Sequence, residues 1–131
     1  MTSIIKLKLV VILLCLLNIN TYAQSYSSES KAAIKNYEKG VENLESRKYE
    51  EATSYFEKAI QKDQNFVEAY LMLAELNFEK NNLDEAVLWY ENAVKTNPDF
   101  YPPAYLILGK IHLQSGNYKN QDWMAPQGLL G

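Results

Sequence analysis

The chain has 131 residues, with 13 Lys+Arg against 16 Asp+Glu, a formal net charge of −3 and 47% apolar residues. That length allows one domain with a modest core, and the dispersed acids exclude the basic stripe expected of a nucleic-acid binder. One Cys and one His cannot assemble a thiolate or imidazole metal cluster within one chain, so neither a metal nor a cofactor is expected.

The first element is a leader. Lys6 and Lys8 precede the apolar run Leu9–Leu17, followed by Asn18-Ile-Asn-Thr21 and then Tyr22-Ala23-Gln24. A positive start, a short apolar core and the small–x–small ending Thr21-Tyr22-Ala23 read as a secretory signal over 1–23, cleaved before Gln24. The run is about half of what a membrane span needs, and the alternative is a short anchor that is retained. Cys15 follows Leu14, where lipoprotein signals require a small residue, so acylation there is rejected. Cleavage removes Lys6, Lys8 and Cys15 but no acid, leaving 11 cations, 16 acids and a charge of −5. The expected location is the periplasm or another extracytoplasmic space, and residues 24–30 read as a linker.

The mature chain repeats itself. At an offset of 34, Tyr49 pairs with Leu83, Ala52 with Ala86, Phe56 with Tyr90, Ala59 with Ala93 and Ile60 with Val94. At an offset of 35, Ala69 pairs with Ala104, Tyr70 with Tyr105, Leu73 with Leu108, Ala74 with Gly109, and Leu83 with Tyr118. One residue is therefore inserted near Pro98–Pro103. Alanines seven apart, two helical turns, lie on one helix face and allow close helix approach, with Phe56 and Tyr90 filling the space between. Pro98 and Pro102-Pro103 separate helices. The pattern predicts helices over about 31–45, 48–62, 66–79, 83–95 and 102–114, with Asn82 and Glu85 as a capping pair.

These residues resemble the tetratricopeptide repeat (TPR), with its period of about 34 residues. The best match is 67–100, through Tyr70, Leu73-Ala74, Leu83, Ala86, Tyr90, Ala93 and Pro98. Residues 33–66 fit through Gly40, Tyr49, Ala52, Phe56 and Ala59, and a partial copy over 102–119 carries Tyr105, Leu108-Gly109, Gly116 and Tyr118. The resemblance implies an all-α helix-turn-helix solenoid of about two and a half repeats, five helices over 31–119. It also implies a concave groove lined by the first helix of each pair. The positions carried across are Ile34, Tyr37, Val41, Leu44 and Glu45, then Glu68, Leu71, Glu75, Phe78 and Glu79, then Leu106, Lys110, Leu113 and Gln114. Such a surface suits a protein or peptide segment that is apolar and carries Lys or Arg. The competing reading makes the aromatics core and the glutamates a solvated face. The Lys and Asn clamp by which some TPR domains hold a C-terminal carboxylate is absent, since Tyr37, Val41 and Met72 stand at those places.

Catalysis is not expected. His112 lies inside the last helix with no nucleophile placed beside it, and reads as packing. Glu50-Glu51 and Asp84-Glu85 fall in first helical turns, where acids complement the helix dipole. After Lys119 the pattern fails, and the tail 120–131, with Pro126 and two glycines, cannot supply the expected partner helix. The last helix should then present Leu106, Ile107, Leu108 and Ile111 with too little cover. A truncated reading of a longer repeat protein is one explanation, and self-association through the open C-terminal edge is the other. A signal followed by such repeats also resembles exported bacterial scaffolds, including the front ends of envelope proteins with OmpA-like ends. The expected function is a non-enzymatic interaction module, and the alternative is an architectural spacer or truncated N-terminal fragment without its own activity.

Overall fold

The computed structural model describes Ile4 and residues 25–116. Apart from Ile4, the expected signal over 1–23 lies outside the described residues, as do Tyr118, Lys119 and the tail over 120–131. Among the described residues there are five helices: α1 Lys31–Glu45, α2 Tyr49–Lys62, α3 Val67–Glu79, α4 Leu83–Thr96 and α5 Pro103–Gln114. Each begins and ends within a residue of its expected bounds. No described helix is long and apolar enough to cross a membrane.

The buried residues follow helical spacing. α1 buries Ala33, Tyr37 and Gly40, α2 buries Ala52, Phe56 and Ala59, and α4 buries Ala86, Tyr90 and Ala93. These helices each present one apolar stripe. α3 is buried more widely, at Val67, Ala69, Leu73, Ala74 and Leu76, because it lies between both halves of the core. The first cluster joins Tyr37, Phe56, Phe66, Leu73 and Leu76, and the second joins Ala74, Tyr90, Ala104, Leu108 and Ile111. Trp89 packs against both.

The repeat extends to the backbone hydrogen bonds. After α1, Lys48 N donates to Asn43 O at 2.8 Å and Arg47 N to Leu44 O at 2.9 Å. After α3, Asn82 N donates to Asn77 O at 2.9 Å and Asn81 N to Phe78 O at 3.0 Å. Both ends are Schellman caps, with Arg47 (φ 58°) and Asn81 (φ 60°) in the left-handed region. Gly116 (φ 72°) holds the matching place after α5. The loops after α2 and α4 also match: Asn65 N donates to Asp63 Oδ1 at 2.9 Å, and Asp99 N to Asn97 Oδ1 at 3.2 Å.

Two expectations are corrected. Asn82 does precede α4, but its side chain makes no cap; its amide donates to Asn77 Oδ1 across the turn at 3.5 Å. Leu108 and Ile111 are not left uncovered. They are 0% and 1% exposed, packed on α3 and α4, whereas Leu106 and Leu113 stand 79% and 71% exposed.

Candidate functional site

α1 and α3 occupy equivalent places in the first two repeat units, so the expected groove positions fall on these helices and on α5. The structure divides them into three groups.

At the N-terminal end of α3 the groove is already covered. Residues 25–30, expected as a linker, form a strap across α1 and the α2–α3 loop. The Tyr26 ring meets Tyr37 edge-on at 5.4 Å and Phe66 at 5.8 Å. Ser27 N donates to Glu68 Oε1 at 2.8 Å, and the Ser27 hydroxyl donates to Glu68 Oε2. That hydroxyl also accepts from Val67 N at 3.0 Å, which caps α3 from outside because Phe66 offers no side-chain oxygen. Ser28 is buried, and its hydroxyl donates to Asp63 Oδ2. Ser30 then caps α1 by accepting from Ala33 N at 3.3 Å. Tyr37 is thus core, and Glu68 is bonded within the chain.

Other positions are engaged in packing. Val41 and Ile34 support the first cluster, and Leu71 and Phe78 the second. Glu75 accepts from the hydroxyl of buried Tyr90 at 2.7 Å. Lys110 is exposed on α5, between Leu106 and Leu113.

Where α1 and α3 end, the groove is open. A pocket of about 420 Å³ is lined by Leu44, Glu45, Arg47, Tyr49, Met72, Glu75, Leu76 and Glu79. It unites Leu44, Glu45, Glu75 and Glu79 from the expected set, but not Tyr37, Val41, Glu68, Leu71, Phe78 or Lys110. Met72 stands at one of the clamp places named from sequence, whereas Arg47, Tyr49 and Leu76 lie outside the expected groove positions. Arg47 and Tyr49 arrive through the Schellman turn, which folds the start of α2 back toward the end of α1. Among the described residues no group of His, Cys, Asp and Glu is placed to hold a metal ion. His112 Nε2 lies 3.6 Å from Glu91 Oε1, a pairing of α5 with α4.

Residues 43–100 match the family model described as tetratricopeptide repeat. The fold is that of a TPR solenoid. The structure is also similar to the "N-terminal domain of stress-induced protein-1 (STI-1) from C.elegans", with a TM-score of 0.62 and 19% identity, over 77% of this chain and 91% of that one. At that identity the likeness shows the fold. The match over 43–100 and the structural likeness agree on a TPR-type helical fold. TPR domains are generally non-catalytic scaffolds that bind protein or peptide partners.

The strap makes a local prediction. In Ser27→Ala, Val67 N loses its acceptor and Glu68 loses the hydroxyl donor while keeping the Ser27 N–H, at a cost of about 1 kcal/mol. Amide exchange at Val67 and over residues 25–30 should speed up by roughly fivefold to tenfold, while Tyr90 and Leu108 keep their protection. Unchanged exchange at Val67, read by NMR, would show that the strap does not cap α3.

A second prediction concerns pH. The phenols of Tyr26, Tyr37, Tyr70, Tyr90 and Tyr105 are held above the ordinary value of 10.0, in each case chiefly by burial. Tyr37 is pushed up to about 12 by burial and then by the Glu68 charge. A raised phenol pKa means that the fold holds the proton more tightly than the unfolded chain does. This stabilisation is complete below pH 10 and is lost as pH rises through about 12. The melting temperature should hold to about pH 9.5 and fall above it, and Tyr37→Phe should flatten the fall. A melting temperature flat up to about pH 12 would contradict the burial of these hydroxyls.

Proposed function

We propose that this chain is a non-enzymatic interaction module of an exported bacterial envelope protein, holding a segment of another protein on its concave face. The observation that carries the reading is the open pocket at the ends of α1 and α3, with Leu44, Met72 and Leu76 beside Glu45 and Glu79. The lining combines apolar surface, which supplies contact area, with charged groups, which fix orientation, as recognition sites do. The partner segment would be apolar and basic, because the carboxylates disfavour acidic sequences. Export is supported by Lys6, Lys8 and the run Leu9–Leu17 ahead of Ala23. Recovery of the protein from the cell envelope with Gln24 at its N-terminus would agree, whereas recovery with residues 1–23 still attached would contradict cleavage.

A retention experiment tests the binding reading. Immobilised protein should hold a set of envelope proteins that Glu45→Lys/Glu79→Lys releases and Leu88→Lys does not, since Leu88 is exposed on α4 away from the pocket. Equal loss with Leu88→Lys would mean that the pocket is not the site. The second reading, an architectural spacer or N-terminal fragment of a larger envelope protein of OmpA-like type, is favoured by Leu106 and Leu113. Their exposure on α5 leaves an apolar edge for a further repeat or a second copy to cover.

A further inference from the structure

The helix ends at the pocket break a rule that the other helices keep. A helix C-terminus carries partial negative charge, which favours cations in the last turn. α2 and α4 obey with Lys62 and Lys95. α1 and α3 have no basic residue in the last turn and finish on Glu45 and Glu79, which stand 34 residues apart in the same repeat position. Both carboxylates line the pocket, and Glu75 adds a third. Among the described residues no salt bridge joins Glu45, Glu75 or Glu79 to a cation. The neighbouring Lys80 is turned to Glu50, at 3.5 Å, and Arg47 lines the same pocket without an ion pair to any of the three glutamates. Two helix C-termini and three carboxylates thus share one pocket with a single cation, Arg47, and of the three Glu75 alone is engaged, by the Tyr90 hydroxyl. Local violations of this kind concentrate at functional sites.

The apolar lining fits the same occupant. Leu44, Tyr49, Met72 and Leu76 offer aliphatic, aromatic and thioether surface, and methionine adapts to irregular shapes. Toward the N-terminal end of α3 the groove is closed by Tyr26 on Tyr37 and by Ser27 on Glu68. An occupant thus need not run the length of the concave face.

We infer that this pocket takes a short partner segment presenting one large apolar side chain with a lysine or arginine close by. The apolar group lies on Met72 and Leu76, and the cation lies between Glu45 and Glu79. This rests on the reading of the concave face as an interaction surface and adds the chemistry of what it holds.

Selection of a random-peptide display library on the purified protein tests it. Enriched sequences should share an apolar residue within a few positions of Lys or Arg. A synthetic peptide of the enriched sequence should shift the methyl resonances of Met72 and Leu76. Its affinity should weaken severalfold with salt, with Lys→Gln in the peptide, and with Glu45→Gln/Glu79→Gln in the protein. That variant should melt no lower than the wild type, because it removes acids from helix C-termini. Enriched sequences that are neutral or acidic, yet still shift Met72 and Leu76, would overturn the cation assignment and leave the groove reading intact. Peptides that shift only residues away from the pocket, or no enrichment at all, would overturn both.

Discussion

Gly40→Ala is expected to destabilise the protein by about 2 kcal/mol, although alanine is the better helix former by about 1 kcal/mol. The loss comes from α2. A Cβ on Gly40 would stand 2.5 Å from Phe56 Cε1, 2.7 Å from Cδ1 and 2.9 Å from Cζ. Three atoms of one rigid ring are met at once, and the ring has nowhere to go. Phe56 is 0% exposed, and the Tyr37 ring sits 5.5 Å away, itself held 4.9 Å from Phe66. Relief requires α1 and α2 to separate, which loosens the Tyr37 contacts and with them the strap. The melting temperature should fall by roughly 8–16 °C. Gly40→Ala/Phe56→Leu should lose less than the sum of its parts, since a narrower side chain restores space. Ala74, at the same repeat position opposite Tyr90, already carries a Cβ and is fully buried, so the second hairpin is built for one. Equal or greater stability for Gly40→Ala would refute the close α1–α2 approach.

The second large effect lies in that second hairpin. Where the first unit has Val41 and Phe56, the second has Glu75 and Tyr90, joined by a 2.7 Å hydrogen bond. The two units thus use one register for an apolar pair and for a polar pair. Glu75→Val would leave the buried Tyr90 hydroxyl without its acceptor, and Tyr90→Phe would leave a half-buried carboxylate without its donor. Each should cost about 1–3 kcal/mol. Glu75→Val/Tyr90→Phe recreates the pairing of the first unit and should recover most of the loss. Urea unfolding of the four proteins gives the coupling directly. Additive losses would mean that the hydrogen bond contributes nothing beyond its separate members. Because Glu75 is held by Tyr90, the groove is better probed at Glu79, which is exposed.

The helices could be read from the sequence because their information is periodic. Ala52, Phe56 and Ala59 recur as Ala86, Tyr90 and Ala93, so both bounds and buried faces follow from spacing. Which groove positions are open could not be read that way, because that depends on contacts between distant parts of the chain. Tyr37 and Glu68 are taken up by Tyr26 and Ser27, in a serine-rich run with no period to mark it. Glu75 is taken up by Tyr90, one helix away. Arg47 and Tyr49 reach the pocket only through the left-handed turn at Arg47, a residue type that gives no hint of positive φ. A signal for the strap was nevertheless present: the aromatic Tyr26 lies four residues before Ser30, a good cap residue for α1.

The strap and pocket together give the concave face a direction, closed at the start of α3 and open at its end. Photo-crosslinking in the living cell, with a benzophenone side chain placed at Arg47 on the pocket or at Leu88 on α4, tests this most directly. Adducts with a partner protein at Arg47, absent at Leu88 and lost in Glu45→Lys/Glu79→Lys, are the predicted result. Adducts at Leu88 with none at Arg47 would contradict the account.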